Sequence, residues 1–156
     1  MKFLATLVFM AGLTDASRHY GESFHHDKKG NTRAVCQLYA KEQEKIATSP
    51  RGWVQLTQAA TNKDGSIGAT SMNAYMGLLD EGTTYSLELI DDDDDSCDGT
   101  YLGKIGTTTA NNRGRGKIML EDIGHDVDGN DSIISAYLRL SDGDGAEVAC
   151  CEIIEH

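Results

Sequence analysis

Short runs of strand-forming residues, separated by turn-forming residues, recur along the chain from about residue 33 to residue 154. One run, 83–91, places Tyr85, Leu87 and Leu89 on one face and Ser86 and Glu88 on the other. This two-residue alternation predicts a strand with one buried face, and no segment shows convincing helical periodicity. The predicted strands cover 33–41, 52–60, 66–76, 83–91, 104–110, 116–121, 132–140 and 146–154.

Eight strands with one-sided alternation predict an all-β fold of two packed antiparallel sheets. In the seventh predicted strand, Ile134, Ala136, Leu138 and Leu140 are expected to face inward. Residues 104–110 and 116–121 are predicted to form a hairpin across the turn 111–114. The 17 glycines of the chain suit the many tight turns that such a fold requires.

The N-terminal segment has the composition of a secretory signal peptide. Lys2 supplies a positive charge, residues 3–13 form an apolar run too short to span a bilayer, and Ala16 ends a small-residue cleavage site. We therefore predict a signal peptide over 1–16 and a secreted, extracellular chain. Residues 17–32 are polar and unpatterned, which predicts a flexible, histidine-containing arm before a single β-domain over 33–156.

The charge balance of the chain is strongly acidic, with 25 acidic and 14 basic residues and a formal net charge of −11. Removal of residues 1–16 takes away Lys2 and Asp15, so 24 acidic and 13 basic residues leave the same net charge. This balance argues against nucleic acid and membrane partners, because both require clustered Lys and Arg. It favours weak binding of several divalent cations.

Several segments resemble the copper/zinc superoxide dismutases, and they occur in the order found in that family. The segments are 34–38 (AVCQL), 52–58 (GWVQLTQ), 77–83 (GLLDEGT), 102–110 (LGKIGTTTA), 116–122 (GKIMLED) and 148–150 (VAC). The resemblance covers roughly residues 33–154. It implies an eight-stranded antiparallel Greek-key sandwich or barrel of the dismutase type.

The resemblance does not extend to the metal ligands of the family. The dismutases carry a His-x-His copper pair on the fourth strand, where this chain reads YSLELI over 85–90. Ser141 stands at about the position of the last copper histidine, and Glu147 replaces the arginine that guides superoxide. Within 33–155 the only histidine is His125. Because a redox copper needs several imidazoles, we predict that the chain is not an enzyme.

The four cysteines of an exported chain are expected to serve as disulfide material. The resemblance implies a disulfide between Cys97 and Cys150, which would join the loop after the fourth strand to the last strand. For Cys36 and Cys151 three alternatives stay open: a second disulfide, two buried thiols, or a link between two chains through Cys151.

The densest negative charge lies in the run Asp91, Asp92, Asp93, Asp94 and Asp95. Carboxylate oxygens suit calcium, and the mutual repulsion of the aspartates is relieved when a cation binds. We therefore interpret the run as a weak calcium site, with an ordinary solvated loop as the alternative. No cofactor is certain from the sequence, and the expected metal ions are calcium or copper, bound peripherally.

A copper hypothesis rests on the arm. If processing follows Ala16, the amine of Ser17, two backbone amides and the imidazole of His19 form a square-planar nest for Cu²⁺ or Ni²⁺, and His25 and His26 offer a weaker site. The alternative is chance placement of a histidine. Such an arm before a degenerate dismutase domain is similar to the dismutase-like proteins of molluscan extrapallial fluid and haemolymph, which implies a metal carrier or matrix component.

Asn130 opens the glycosylation sequon Asn130-Asp131-Ser132 in a predicted exposed loop. Taken together, the sequence predicts a secreted, non-catalytic dismutase-like protein that binds calcium or copper weakly in an extracellular fluid or matrix. One alternative is a structural module that self-assembles or joins matrix partners through its edge strands and Cys151. The other is a residual or nominal superoxide dismutase.

Overall fold

The computed structural model describes residues 30–40, 49–91, 97–129 and 132–156. The described residues contain no helix and form nine strands, all of whose ladders are antiparallel. The predicted signal peptide and most of the predicted arm lie outside these ranges. The strands are β1 (Thr32–Tyr39), β2 (Arg51–Gln58), β3 (Thr70–Gly77), β4 (Thr84–Ile90), β5 (Tyr101–Thr109), β6 (Arg115–Leu120), β7 (Tyr137–Ser141), β8 (Glu147–Glu152) and β9 (Ile154–Glu155).

The eight longer strands form one sheet in the order β5-β4-β7-β8-β1-β2-β3-β6, which curls into a nearly closed barrel. The short β9 continues the edge of β8 and pairs with β1. Among the eight longer strands, three connections join strands that are not hydrogen-bonded neighbours: those from β3 to β4 and from β6 to β7 cross over, and that from β5 to β6 links the two ends of the sheet. The predicted all-β, antiparallel class is therefore confirmed.

The core is built from the inward-facing residues of the alternating strands. Tyr85, Leu87 and Leu89 of β4 are almost fully buried, as are Leu138 and Leu140 of β7, which confirms the facing predicted for these residues. Ala136 is buried as well, but Ile134 is only half-buried and Ile133 is buried in its place, because the chain is irregular there. The opposite residues of these strands are half-buried or exposed, except Ile90 and Ser141 at the strand ends, which neighbouring groups cover. Two-residue alternation therefore separates the core from the outer surface along most of β1, β2, β3, β4 and β7, whereas β5 buries no residue fully.

Two predicted strands begin later than their sequences suggest. The third begins at Thr70 and not at 66, because the chain after the 62–65 turn still bonds across the loop, with Ala59 N donating to the Ala69 carbonyl at 3.0 Å. The seventh begins at Tyr137 and not at 132. Ile134 and Ala136 precede it in an irregular segment where Ser135 has a φ of 73°.

The last predicted strand, 146–154, is interrupted in the structure. Ile153 is fully buried and its N–H donates to the Ala136 carbonyl at 2.8 Å, while Ser135 N–H donates to the Ile153 carbonyl at 2.9 Å. These bonds take Ile153 out of the ladder with β1, so β8 ends at Glu152 and pairing resumes at Ile154.

The predicted hairpin between β5 and β6 is wrong in its pairing. The turn itself forms, because Gly114 N–H donates to the Asn111 carbonyl at 2.9 Å, but β5 pairs only with β4 and β6 only with β3. The facing edges of β5 and β6 therefore make an open seam. It is bridged by Lys117 N–H, which donates to Thr108 Oγ1 at 3.1 Å.

Gln58, at the end of β2, anchors the long connection from β6 to β7. Its side chain is 4 % exposed, and Oε1 accepts hydrogen bonds from the N–H groups of Val127 and Asp128 at 2.7 and 2.6 Å. Its Nε2 donates to the Asp128 carbonyl at 3.2 Å. A buried amide thus satisfies backbone groups that no strand ladder reaches.

Candidate functional site

The outer face of β4 and β7 carries a compact polar cluster. Glu88 and Arg139 are direct cross-strand neighbours, and the Arg139 Nε and Nη2 atoms lie 3.0 and 2.9 Å from Glu88 Oε2. Ser141 is 1 % exposed and donates its hydroxyl to the same oxygen at 3.0 Å. Arg139 Nη1 also donates to the Cys97 carbonyl at 3.4 Å. We call Glu88, Arg139 and Ser141 the Glu88 cluster.

The Glu88 cluster occupies the strands on which the dismutase resemblance places copper histidines. By that resemblance Ser141 stands at about the position of the last copper ligand, and the structure brings its side chain into contact with Glu88 on the fourth strand. The residues present do not fit a copper ion. They offer a single carboxylate and no imidazole; Oε2 of that carboxylate already accepts from a guanidinium and a hydroxyl, and the guanidinium would repel a cation at this place.

Within the described ranges, no three His, Cys, Asp or Glu side chains lie close enough together to share a metal ion. His125 lies in the connection between β6 and β7, half-buried. The predicted copper ligands Ser17, His19, His25 and His26 lie outside the described residues, as does Asn130 of the sequon. Of the predicted calcium run, Asp91 is described and half-buried, and Asp92, Asp93, Asp94 and Asp95 lie outside.

Several aspartates of the described turns bind backbone N–H groups. Asp142 Oδ1 accepts from Asp144 and Ala146 N–H at 3.0 and 2.9 Å. Asp64 Oδ1 accepts from the Ser66 hydroxyl at 2.7 Å and from the Ser66 N–H at 3.0 Å, and these bonds hold the pKa of Asp64 below its ordinary value. The acidity of these turns therefore has a local structural use.

All four cysteines form disulfides within the chain. Cys97 is joined to Cys150 with their Cα atoms 6.1 Å apart, the pair that the resemblance implies. Cys36 is joined to Cys151 with a Cα separation of 5.6 Å, so the structure has the first of the three alternatives for these residues. Cys150 and Cys151 are consecutive on β8 and point to opposite faces, which ties one strand to both the outer loop and the core.

A scan against models of known protein families matches none, and a search of curated proteins finds no match either. The two disulfides indicate a protein of an oxidising, non-cytosolic compartment. In the part of the chain that is described, no helix is long and apolar enough to cross a membrane.

A second surface feature, on the opposite half of the barrel, was not anticipated from the sequence. Trp53, Tyr75 and Lys117 are cross-strand neighbours on β2, β3 and β6 and point outward. The Trp53 and Tyr75 rings stack with centroids 6.1 Å apart, and Lys117 Nζ lies 5.1 Å from the Tyr75 centroid. Trp53 is 42 % exposed and Tyr75 45 % exposed.

The adjacent row of the same surface carries Arg51 on β2 and Arg115 on β6, with Gly77 of β3 between them. Both arginines are exposed. We call the surface formed by Arg51, Trp53, Tyr75, Arg115 and Lys117 the basic face. Its members come from sequence segments up to 66 residues apart, so the sequence contains no local run of Lys and Arg that would predict this face. The available signal is that β1, β2, β3 and β6 contain no acidic residue.

Proposed function

We propose that the protein is a secreted, non-catalytic relative of the copper/zinc superoxide dismutases that binds divalent cations weakly in an extracellular fluid or matrix. The fold supports this relationship, because the β3 to β4 and β6 to β7 crossovers of the barrel are of the Greek-key kind. The Cys97–Cys150 disulfide, at the positions that the resemblance implies, supports it further.

The observation that carries the non-catalytic assignment is the Glu88 cluster. Superoxide dismutation requires a metal that cycles between two oxidation states, held by imidazoles. Here Glu88 and Ser141 bond to each other, and Arg139 neutralises the carboxylate from the neighbouring position on β7. An ion pair thus takes the place of a metal centre on these two strands.

The first experiment loads the chain, secreted from a eukaryotic host, with Cu²⁺ and Zn²⁺, removes loosely held ions by dialysis, and measures bound copper together with superoxide dismutation. The variant His19→Ala/His25→Ala/His26→Ala is assayed beside it, because the arm is the proposed copper site. We expect no dismutation from either protein and less copper on the variant. Dismutation with copper retained by the variant contradicts the proposal.

The cation-binding part of the proposal is tested by melting the protein during a calcium titration, since an ion that binds only the native state raises Tm with concentration. Binding in the extracellular range, with Kd of about 10⁻⁴–10⁻³ M, predicts a rise at millimolar calcium. Substitution of Asp92, Asp93, Asp94 and Asp95 by Asn should abolish it. The control Asp142→Asn/Asp144→Asn should retain it, and an unchanged wild-type Tm would refute calcium binding.

A further inference from the structure

We propose that the basic face binds an acidic polysaccharide, an extended chain of sugars bearing sulfate or carboxylate groups. This inference goes beyond the proposed function, because the ligand is a polyanion and the residues belong to the other half of the barrel. It stands on three observations: the local charge, the shape of the surface beside the seam, and the exposed aromatic pair.

The local charge of the basic face is opposite to that of the chain. The strands β1, β2, β3 and β6 contain Arg33, Arg51, Arg115 and Lys117 and no Asp or Glu, although the chain as a whole carries −11. Among the described residues, Arg51, Arg115 and Lys117 take part in no ion pair. Their charges are therefore available to an anionic ligand, while the acidic remainder repels polyanions from other orientations.

The shape of the surface suits an extended ligand. An open cleft of about 650 Å³ lies where the seam meets β3, and its lining includes Tyr75, Gly77, Asn111, Arg115 and Lys117 but no acidic residue. A Cβ added to Gly77 would meet no atom within 4 Å, so this glycine leaves a gap between Arg51 and Arg115. Two interstrand steps separate these arginines by about 10 Å at the backbone, so two positive charges flank the gap.

The aromatic pair points to a ligand with rings. Trp53 and Tyr75 are stacked and held beside Lys117 by cross-strand register, yet nearly half of each side chain remains exposed. Large aromatic side chains that are rigid and exposed are typical anchors of binding surfaces. The apolar C–H faces of sugar rings pack against aromatic carbon, while sulfate and carboxylate groups bond to Arg and Lys.

Other polyanions fit the basic face less well. A planar anionic membrane would meet the acidic turns around the barrel as well as the basic face, whereas a single polysaccharide chain touches only a narrow stripe. Nucleic acid also stacks on aromatic side chains, but the two disulfides indicate a non-cytosolic protein. These differences favour an acidic polysaccharide.

The experiment measures binding of heparin to the full secreted chain, with uncharged dextran and a single-stranded oligonucleotide of similar charge as comparison ligands. Fluorescence is a site-specific readout, because Trp53 is the only tryptophan of the chain. Two disruptive variants are used: Arg51→Glu/Arg115→Glu, and Gly77→Glu, for which the open space beside Gly77 favours normal folding. The matched control Lys63→Glu/Lys104→Glu makes the same charge change as the first, with both lysines exposed and outside the basic face.

We expect heparin to bind with a change in Trp53 fluorescence, to dissociate as salt rises, and to bind each disruptive variant at least about tenfold more weakly. The control should remain within about twofold of the wild type. An equal loss in the control, absence of heparin binding, or tighter binding of the oligonucleotide would overturn the proposal. So would sedimentation showing that the face pairs with a second copy of the chain, in a dimer that Arg51→Glu/Arg115→Glu dissociates.

Discussion

Gln58 shows how one polar residue on the inner side of a strand organises a loop far away in sequence. It follows the alternation of β2, in which Val54 and Leu56 are fully buried, so its amide is carried inward as well. The cost of burying that amide is offset because it makes three hydrogen bonds to the backbone of Val127 and Asp128. The β6 to β7 connection is thereby fixed against the end of the barrel.

Replacement of Gln58 by Met should keep the shape of the side chain and remove all three hydrogen bonds. Two backbone N–H groups are then left without their acceptor, so we expect a loss of about 2–4 kcal/mol in the free energy of unfolding, measured by urea denaturation. The control is Gln55→Met, on the same strand but outward-facing, with an expected change within about 0.5 kcal/mol. Equal effects of the two substitutions would contradict the role assigned to Gln58.

On the outer surface, the Glu88 cluster is a second example of a polar side chain whose partners are set by strand pairing. A glutamate half-way along a strand needs a partner when its neighbours cover it, and the register of β4 with β7 supplies Arg139 directly opposite. Ser141 reaches the same carboxylate because it lies two residues beyond Arg139 on the same face of β7, diagonally opposite Glu88. Strand pairing thus explains the Glu88 cluster. The sequence alone shows only that the His-x-His pair is absent.

At the level of elements, the seam between β5 and β6 is the weakest part of the barrel wall. Both strands are fully paired on one side only. Gly106 and Gly116 lie along the seam, where an added Cβ would come within 2.8 Å of Ile118 Cγ2 and 2.6 Å of Thr108 Cγ2 respectively. The two edges therefore approach closely through their side chains without sharing a ladder.

Amide hydrogen exchange should reveal this asymmetry. Amides of β5 that point toward β6 are expected to exchange faster than the alternate β5 amides, which bond to β4, because exchange protection follows the strength and cooperativity of local hydrogen bonding. Lys117 N–H, bonded to Thr108 Oγ1, should be the exception on the β6 side. Uniform protection along β5 in an NMR exchange series would show that the seam is closed in solution.

The elements also show which parts of the fold were predictable from the sequence. The facing of β4 and of the regular part of β7 followed from alternation, because burying one face of a strand demands it. The β5–β6 pairing did not, because closure of the barrel and not proximity in sequence chooses each partner. Likewise the irregular segment at 132–136 is partly buried and apolar, as a strand would be, but its backbone bonds to Asp126 and Ile153.

In the whole molecule, the charged residues of the strands are distributed unevenly between the two halves of the barrel. The neighbouring strands β1, β2, β3 and β6 contain no acidic residue and form one half of the barrel, whereas Glu88, Glu147 and Glu152 lie on β4 and β8 in the other half, whose strands β5 and β7 also lack acidic residues. Net charge, which directed the sequence interpretation away from polyanions, averages over these halves. The basic face is therefore not evident from the net charge. It arises because the strand order places Arg51, Arg115 and Lys117 side by side.

The two disulfides close loops of very different length around β8. The Cys36–Cys151 bond links residues 115 apart and ties the first long strand to the last, whereas the Cys97–Cys150 bond links residues 53 apart. On the chain-entropy account, longer loops restrict the unfolded chain more, which gives about 5 kcal/mol for the first bond and about 4 kcal/mol for the second. Cys36 and Cys151 are also buried in the core, so their contribution includes packing.

The double variant Cys36→Ala/Cys151→Ala should therefore lose more stability than Cys97→Ala/Cys150→Ala, with losses in urea denaturation of about 5 and about 4 kcal/mol respectively. Alanine is used in both so that the truncation is the same, and the 36–151 variant additionally leaves a small core cavity that increases its loss. Each variant retains the other disulfide, which keeps β8 attached on one face and makes the comparison internal to one fold. If the 97–150 variant is the less stable of the two, then the contacts of the outer loop with Arg139, and not loop closure, dominate the stability of the barrel.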